Sequence, residues 1–179
     1  MKAFVTSIGE PTTDLCVWSL QRQGFDVELV QSSSSLWEKL RYIYEVAEGD
    51  FLRVDADVVV NKNVKLLSEL DTRYVWWYQA RTYGWFSQDA THGGVQLYGA
   101  RTLPILRAKI EEARHLERPE TYMSRLDEFH NPRRFETFER LCGLHGYKQD
   151  DYDRIMRIKD RRKQMGNYDF ELAKKLDDI

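Results

Sequence analysis

Short apolar runs alternate with stretches of helical periodicity along residues 3–113, and this alternation limits the chain to few architectures. Residues 3–7 are an apolar run that stops before Gly9 and Pro11. Residues 13–24 then carry apolar side chains in helical clusters, and residues 25–30 return to a strand-like pattern. The unit repeats: Leu36, Leu40, Ile43 and Ala47 share one helical stripe, Gly49 closes it, and residues 51–54 form the next apolar strand, ending at Asp55. A helix over 63–70, strands over 74–78 and 94–98, and a helical stripe through Leu103, Leu106, Ile110 and Ala113 follow, with Pro104 tolerated in the first turn. Strands apolar on both faces need cover on both sides, which predicts an α/β/α sandwich around a mostly parallel, Rossmann-like central sheet. The polar and aromatic stretch between 78 and 94 reads as a site loop. Beyond residue 114 the periodicity weakens and predicts little.

A length of 179 residues suits one domain with a short appended tail. The formal charge of −2 gives no global pull toward polyanions, so no nucleic-acid partner is expected. Cys16 and Cys142 are the only cysteines and lie far apart, which points to neither a disulfide framework nor a thiolate zinc site. Residues 1–5 run directly into the first strand, and no eighteen consecutive residues are apolar. The expectation is a soluble, cytoplasmic protein. Arg154, Arg157, Lys159, Arg161, Arg162 and Lys163 form the one concentrated basic segment. It reads as a solvated helix face, or as a surface for peripheral contact with anionic lipid.

The chemistry concentrates at Asp55-Ala56-Asp57, directly after the apolar strand 51–54. Residues two apart in an extended chain project to the same side, and ligands of open α/β sheets bind outside the carboxyl ends of the strands. Two carboxylates converging there repel each other unless a cation lies between them. A hard divalent ion with oxygen ligands relieves the repulsion and keeps positions for phosphate oxygens, which favours Mn²⁺ or Mg²⁺ over zinc. A pair of acids capping the next turn would spell the same short motif.

The segment Leu52-Arg53-Val54-Asp55-Ala56-Asp57-Val58-Val59-Val60, with the helical residues after Val64, resembles the Asp-x-Asp region of GT-A glycosyltransferases, above all the glycogenin-like family eight pattern. The resemblance implies metal-dependent transfer of a sugar from a nucleoside diphosphate donor, UDP-linked in the first instance, to a glycan or protein acceptor. It assigns Asp57 to the metal and Asp55 to both metal and ribose, as the catalytic centre. Thr6-Ser7-Ile8-Gly9 looks like the family's nucleotide-binding loop, although a plain β-to-α turn reads alike. His92-Gly93-Gly94-Val95 is similar to the Gly-Val strand after the family's sugar-binding loop, with glycines that permit close backbone approach or merely a turn.

His145-Gly146-Tyr147-Lys148 partly resembles the closing His-x-x-Gly-x-x-Lys segment, with compressed spacing and no Pro-Trp after it. The implied roles are His145 as third metal ligand and Lys148 as a phosphate contact, with His92 as a competing ligand. Glu117 and Glu120 lie where many inverting members place the catalytic base, but acids beside Pro119 also simply open helices. Retention or inversion stays open. Trp85 is the candidate sugar contact, and of the neighbours Trp76 and Trp77 one should be buried and the other not. The family's Arg-Asn pair in the helix before Asp-x-Asp is missing, leaving Lys39 or Arg41 as substitutes.

In element order the resemblance covers about residues 3–113, and it assigns 1–149 to the GT-A domain and 150–179 to a C-terminal helical tail. Two other readings stand beside it. A sugar-phosphate nucleotidyltransferase shares the architecture but carries basic residues after the first strand, and residues 6–13 contain none. A non-catalytic carbohydrate- or nucleotide-binding protein on the same fold is the other.

Overall fold

The computed structural model describes residues 1–31, 35–85, 89–130 and 134–146. These fall within one compact unit, Met1–Tyr147. The tail expected over 150–179, its basic segment and Lys148 lie outside the described residues.

The opening alternation becomes two crossover units. Strand β1 (Lys2–Ser7) pairs in parallel with β2 (Asp26–Gln31) on one side and β3 (Phe51–Asp55) on the other. Helix α1 (Thr13–Arg22) connects β1 to β2, and α2 (Leu36–Val46) connects β2 to β3. Helix α2 starts where Ser35 and Glu38 form a reciprocal capping box, and it buries Trp37, Lys39, Leu40, Ile43 and Tyr44. After β4 (Val58–Val60) and the short α3 (Val64–Leu67) come the long strands β5 (Trp77–Gly84) and β6 (Asp89–Tyr98). Helices α4 (Leu103–Lys109), α5 (Pro119–Ser124) and α6 (Asp127–His130) lead into β7 (Phe135–His145).

The sheet order is β2-β1-β3-β6-β5-β7-β4. Strands β1, β2, β3, β5 and β7 run one way and β6 and β4 the other, so the sheet is mostly parallel, as the sequence predicts. Alternate residues of the central strands feed two cores, one on each face. Phe4, Phe51, Trp77 and Tyr98 pack with α2, α4, α5 and α6. Ala3, Val5, Leu52, Val54 and Leu97 pack with α1 and α3. Trp77 is the hub of the first core, its ring centroid 4.7 Å from Tyr98, 5.4 Å from Phe129 and 5.4 Å from Phe135. Trp76, beside it, is only partly buried, and the Arg134 guanidinium lies 3.7 Å from its ring centroid.

Several elements differ from the sequence reading. The strand expected over 74–78 begins only at Trp77, and Tyr74 before it is exposed. The stretch between 78 and 94 is no loop: β5 and β6 pair as an antiparallel hairpin across most of it. Its described residues are mostly partly buried or exposed and mainly polar or aromatic, so the apolar signature of a strand is missing. The helix expected over 63–70 shrinks to α3. Strand β7 has no counterpart in the reading, because Cys142 is its one fully buried side chain. Among the described residues no helix is long and apolar enough to cross a membrane.

Both cysteines are free and buried. Burial, with a smaller contribution from Asp55 and Asp57, raises the Cys16 thiol far above its usual range, and burial pushes Cys142 up to about 12. The thiolate is the reactive form. Iodoacetamide at pH 8 is therefore expected to modify neither residue until denaturant is added. Native-state alkylation of either, read by mass spectrometry, would contradict this packing.

Candidate metal centre

Strand β3 delivers the first acid. Asp55 sits at its carboxyl end directly opposite Thr6 of β1, and the Thr6 hydroxyl donates to Asp55 Oδ1 at 3.1 Å. The chain then turns. Ala56 N–H donates to Thr6 O at 3.1 Å and the Thr12 hydroxyl donates to Ala56 O at 3.0 Å. Asp57 thus faces the centre through a pinned turn, not through continuation of an extended strand.

Strand β4 then pairs antiparallel with the end of β7, setting Val58 opposite His145. Gly146 N–H donates to Asp57 O at 2.9 Å, and His145 Nε2 lies 3.2 Å from Asp57 Oδ2. One ligand atom from each of Asp55, Asp57 and His145 falls within 4.8 Å of the others. Asp57 is almost sealed at 6% side-chain exposure, whereas Asp55 at 32% and His145 at 28% leave an open side. Two carboxylates and an imidazole so grouped fit a divalent cation with vacant positions for a ligand.

Gly93 and Gly94 lie inside β6 rather than in a turn, with φ of 133° and 74°. A Cβ on Gly94 would stand 2.6 Å from Val58 Cγ2 and 3.6 Å from the His145 ring. The glycine leaves the space in which β4 and the imidazole pack. Gly94→Ala is expected to cost about 1–3 kcal/mol, from the left-handed backbone and the clash together. It should also weaken metal binding by displacing His145. A melting curve and a Mn²⁺ titration of the variant check both; an unchanged protein would contradict the packing.

The loop after β1 closes on itself. Ile8 N–H donates to Glu10 Oε2 at 2.8 Å, Gly9 N–H to Ser7 Oγ at 2.9 Å, and Ser7 Oγ to Glu10 Oε2 at 2.7 Å. Thr6 and Ser7 are buried, and Gly9 turns the chain at a φ of 98°. The amides of Ile8 and Gly9 are thereby engaged inside the loop. What it presents outward is the Ile8 side chain, 77% exposed.

Lys39 and Arg41 separate clearly. Arg41 is at the surface, where it pairs with Glu45 and Glu111. Lys39 is buried within electrostatic reach of Glu10 in the β1–α1 loop; burial lowers its ammonium below the ordinary lysine range, opposed by Glu10. Glu120, in the first turn of α5, has a sealed Oε2 without a hydrogen-bond partner among the described residues and lies within electrostatic reach of Arg53. Glu117 is exposed in the connection before α5. His92 is exposed on β6 and stands outside the triad. Trp85 is 48% exposed, and its backbone N–H donates to His145 O at 2.8 Å, which ties residue 85 to the strand end that carries His145.

Arg53 and Gln96 escaped the sequence reading as site residues. Arg53 Nη2 donates to Asp55 Oδ1 at 2.5 Å and Nη1 to Gln96 Oε1 at 2.9 Å. Burial is the largest single influence and works against the guanidinium charge, but Asp55 together with Tyr98, Tyr44 and Glu120 outweighs it and keeps Arg53 charged. The available signal was a lone arginine inside an otherwise apolar strand just before the acids.

No protein-family model and no curated protein sequence matches the chain. Solved structures do. Residues 1–349 of S. aureus TarS align over 89% of this chain and 64% of their own length, with 13% identity and a TM-score of 0.59. The apo form of the glycosyltransferase GlyE from Streptococcus pneumoniae aligns over 84% of this chain and 55% of its own, with 14% identity and a TM-score of 0.55. The 4-diphosphocytidyl-2C-methyl-D-erythritol synthase of Anaerococcus prevotii aligns over 82% and 89%, with 11% identity and a TM-score of 0.54. The fold is Rossmann-like and of the GT-A type. At such identities the likeness establishes the architecture alone, and the chain spans less than two thirds of TarS and of GlyE.

Proposed function

We propose that the chain is a metal-dependent glycosyltransferase that takes its sugar from a nucleoside diphosphate donor, a UDP-sugar in the first instance, and passes it to a glycan or protein acceptor. The observation that carries this reading is the convergence of Asp55, Asp57 and His145 within 4.8 Å at the carboxyl end of β3. Asp55, Asp57 and His145 would hold Mn²⁺ or Mg²⁺, and the imidazole tips the set toward Mn²⁺, since Mg²⁺ prefers an all-oxygen shell. Held there, such an ion would supply positive charge to offset the negative charge that grows on a diphosphate as the sugar leaves.

The chain's own groups supply the rest. Asp55 is held by Thr6 and Arg53 through Oδ1, and its Oδ2 takes no hydrogen bond among the described residues, which suits it to metal and ribose. Ile8 offers an apolar cover for a base, and Lys39 a charge on the donor side. Lys148 is assigned to the diphosphate by the family resemblance alone. Trp85 offers a ring for a sugar face. Of the two acids proposed as base, Glu120 is favoured over exposed Glu117 by its reach to Arg53, for a transfer that inverts. Likeness to the glycogenin-like pattern rests on the Asp-Ala-Asp segment and His145 in the sequence, while the fold neighbours span several transferase types.

Nucleotidyl transfer is the second reading. It is favoured by the synthase and by a Bacillus anthracis protein assigned as a glucose-1-phosphate thymidylyltransferase, which aligns over 79% of this chain and 87% of its own length with 8% identity and a TM-score of 0.52. The absence of any basic residue from positions 6–13 weighs against it. Product release separates the readings. With Mn²⁺, glycosyl transfer or slow donor hydrolysis should liberate UDP from one of a panel of UDP-sugars. Pyrophosphate released from a nucleoside triphosphate and a sugar phosphate would overturn the proposal, and neither product would favour a binding module.

A further inference from the structure

Arg53 is 4% exposed in the middle of β3, between Leu52 and Val54 and in register with Phe4 and Gln96. A buried guanidinium is costly unless its charge is used. Its fork is divided: one arm holds Asp55 Oδ1, the other Gln96 Oε1. That amide oxygen also accepts the Tyr98 hydroxyl at 2.6 Å, which fixes the amide from a second side. Arg53 Nε is buried and has no hydrogen-bond partner among the described residues. The surroundings therefore do not satisfy Arg53 as a purely structural group, and its shortest contact is to a proposed metal ligand.

We propose that Arg53 is a resident counter-cation of the acid pair, a positioning residue that makes the centre accept a dication together with an anionic diphosphate far better than the dication alone. The inference rests on the metal-site reading above. With both acids ionised, Arg53, Asp55 and Asp57 sum to a formal charge of −1. A dication by itself would leave a net positive charge in a part-buried site, and a diphosphate removes that excess. Without Arg53 the pair alone would already balance the dication. By holding Oδ1, Arg53 leaves Oδ2 of Asp55 without a hydrogen bond among the described residues. Glu120 acts on the same guanidinium more weakly than Asp55 and makes no ion pair with it among the described residues, so it stands outside this sum.

The test is a Mn²⁺ titration of the metal-free chain, followed by the electron paramagnetic resonance signal of free Mn²⁺, with and without UDP. Arg53→Met should bind Mn²⁺ alone about tenfold or more tightly than wild type, because a nearby like charge is removed. UDP should then enhance its Mn²⁺ binding less than it does for wild type. Arg53→Lys keeps the charge and should stay within about threefold of wild type. Weaker or equal Mn²⁺ binding by a cooperatively melting Arg53→Met overturns the proposal. Should that variant not fold, Arg53→Lys decides alone, and a change beyond about threefold overturns it. Mn²⁺ binding by wild type in the presence of UDP, without the expected order among variants, rejects the role of Arg53 and spares the metal site. No Mn²⁺ on any protein rejects both.

Discussion

Asp57→Asn is expected to lower Mn²⁺ affinity by on the order of 100-fold, which corresponds to about 2.7 kcal/mol. The side chain is almost sealed, its Oδ2 lies 3.2 Å from His145 Nε2, and it belongs to the group of three candidate ligands at the end of β3. Asparagine keeps the volume and removes the charge, so the loss falls on the cation and not on packing. The melting temperature should move little, because removing one of two converging carboxylates also relieves their repulsion. His145→Ala should cost less, about tenfold, since a neutral ligand can be replaced by water. A Mn²⁺ titration beside a thermal melt checks the pair. An Asp57→Asn protein that binds Mn²⁺ like wild type would remove Asp57 from the centre.

Trp77→Ala is expected to destabilise the fold by about 3–5 kcal/mol. For a domain of this size that is a fall of about 10 °C or more in melting temperature. Trp77 is fully buried against Tyr98, Phe129 and Phe135, so truncation empties the space between β5, β6, α6 and β7. Its indole N–H has no hydrogen-bond partner among the described residues. Trp77→Phe should therefore cost much less than alanine, because an unsatisfied buried donor leaves with the lost volume. Trp76→Ala, at a partly exposed ring beneath Arg134, should cost about 1 kcal/mol or less. Thermal and urea unfolding of the three variants checks the order, and equal effects at 76 and 77 would contradict the assignment of faces.

The parts of the fold legible in the sequence are those whose strands are apolar on both faces. β1 and β3 are buried from above and below, so their residues betray the sheet regardless of context. Burial differs in β5, β6 and β7, whose polar and aromatic residues are held by neighbours the sequence does not display. That is why the 79–93 stretch reads as a loop, and why His145 was found through a family likeness and not as the end of a strand. The acids at 55 and 57 were legible because they follow a buried strand directly, although a turn and not strand geometry brings them together. Lys39 was separable from Arg41 in principle: it lies three residues after Leu36 and one before Leu40, on the buried side of α2, whereas Arg41 lies outside it. Gly94 hid its role, since a close approach of β4 and β7 across the sheet leaves no trace in local spacing.

Isothermal titration of UDP into the metal-free chain, repeated with saturating Mn²⁺, bears most directly on the triad. Binding should be weak without the ion, rise on the order of 100-fold with it, and lose that gain in Asp57→Asn. UDP affinity that ignores Mn²⁺, or that survives intact in Asp57→Asn, would contradict a cation-held diphosphate at the end of β3.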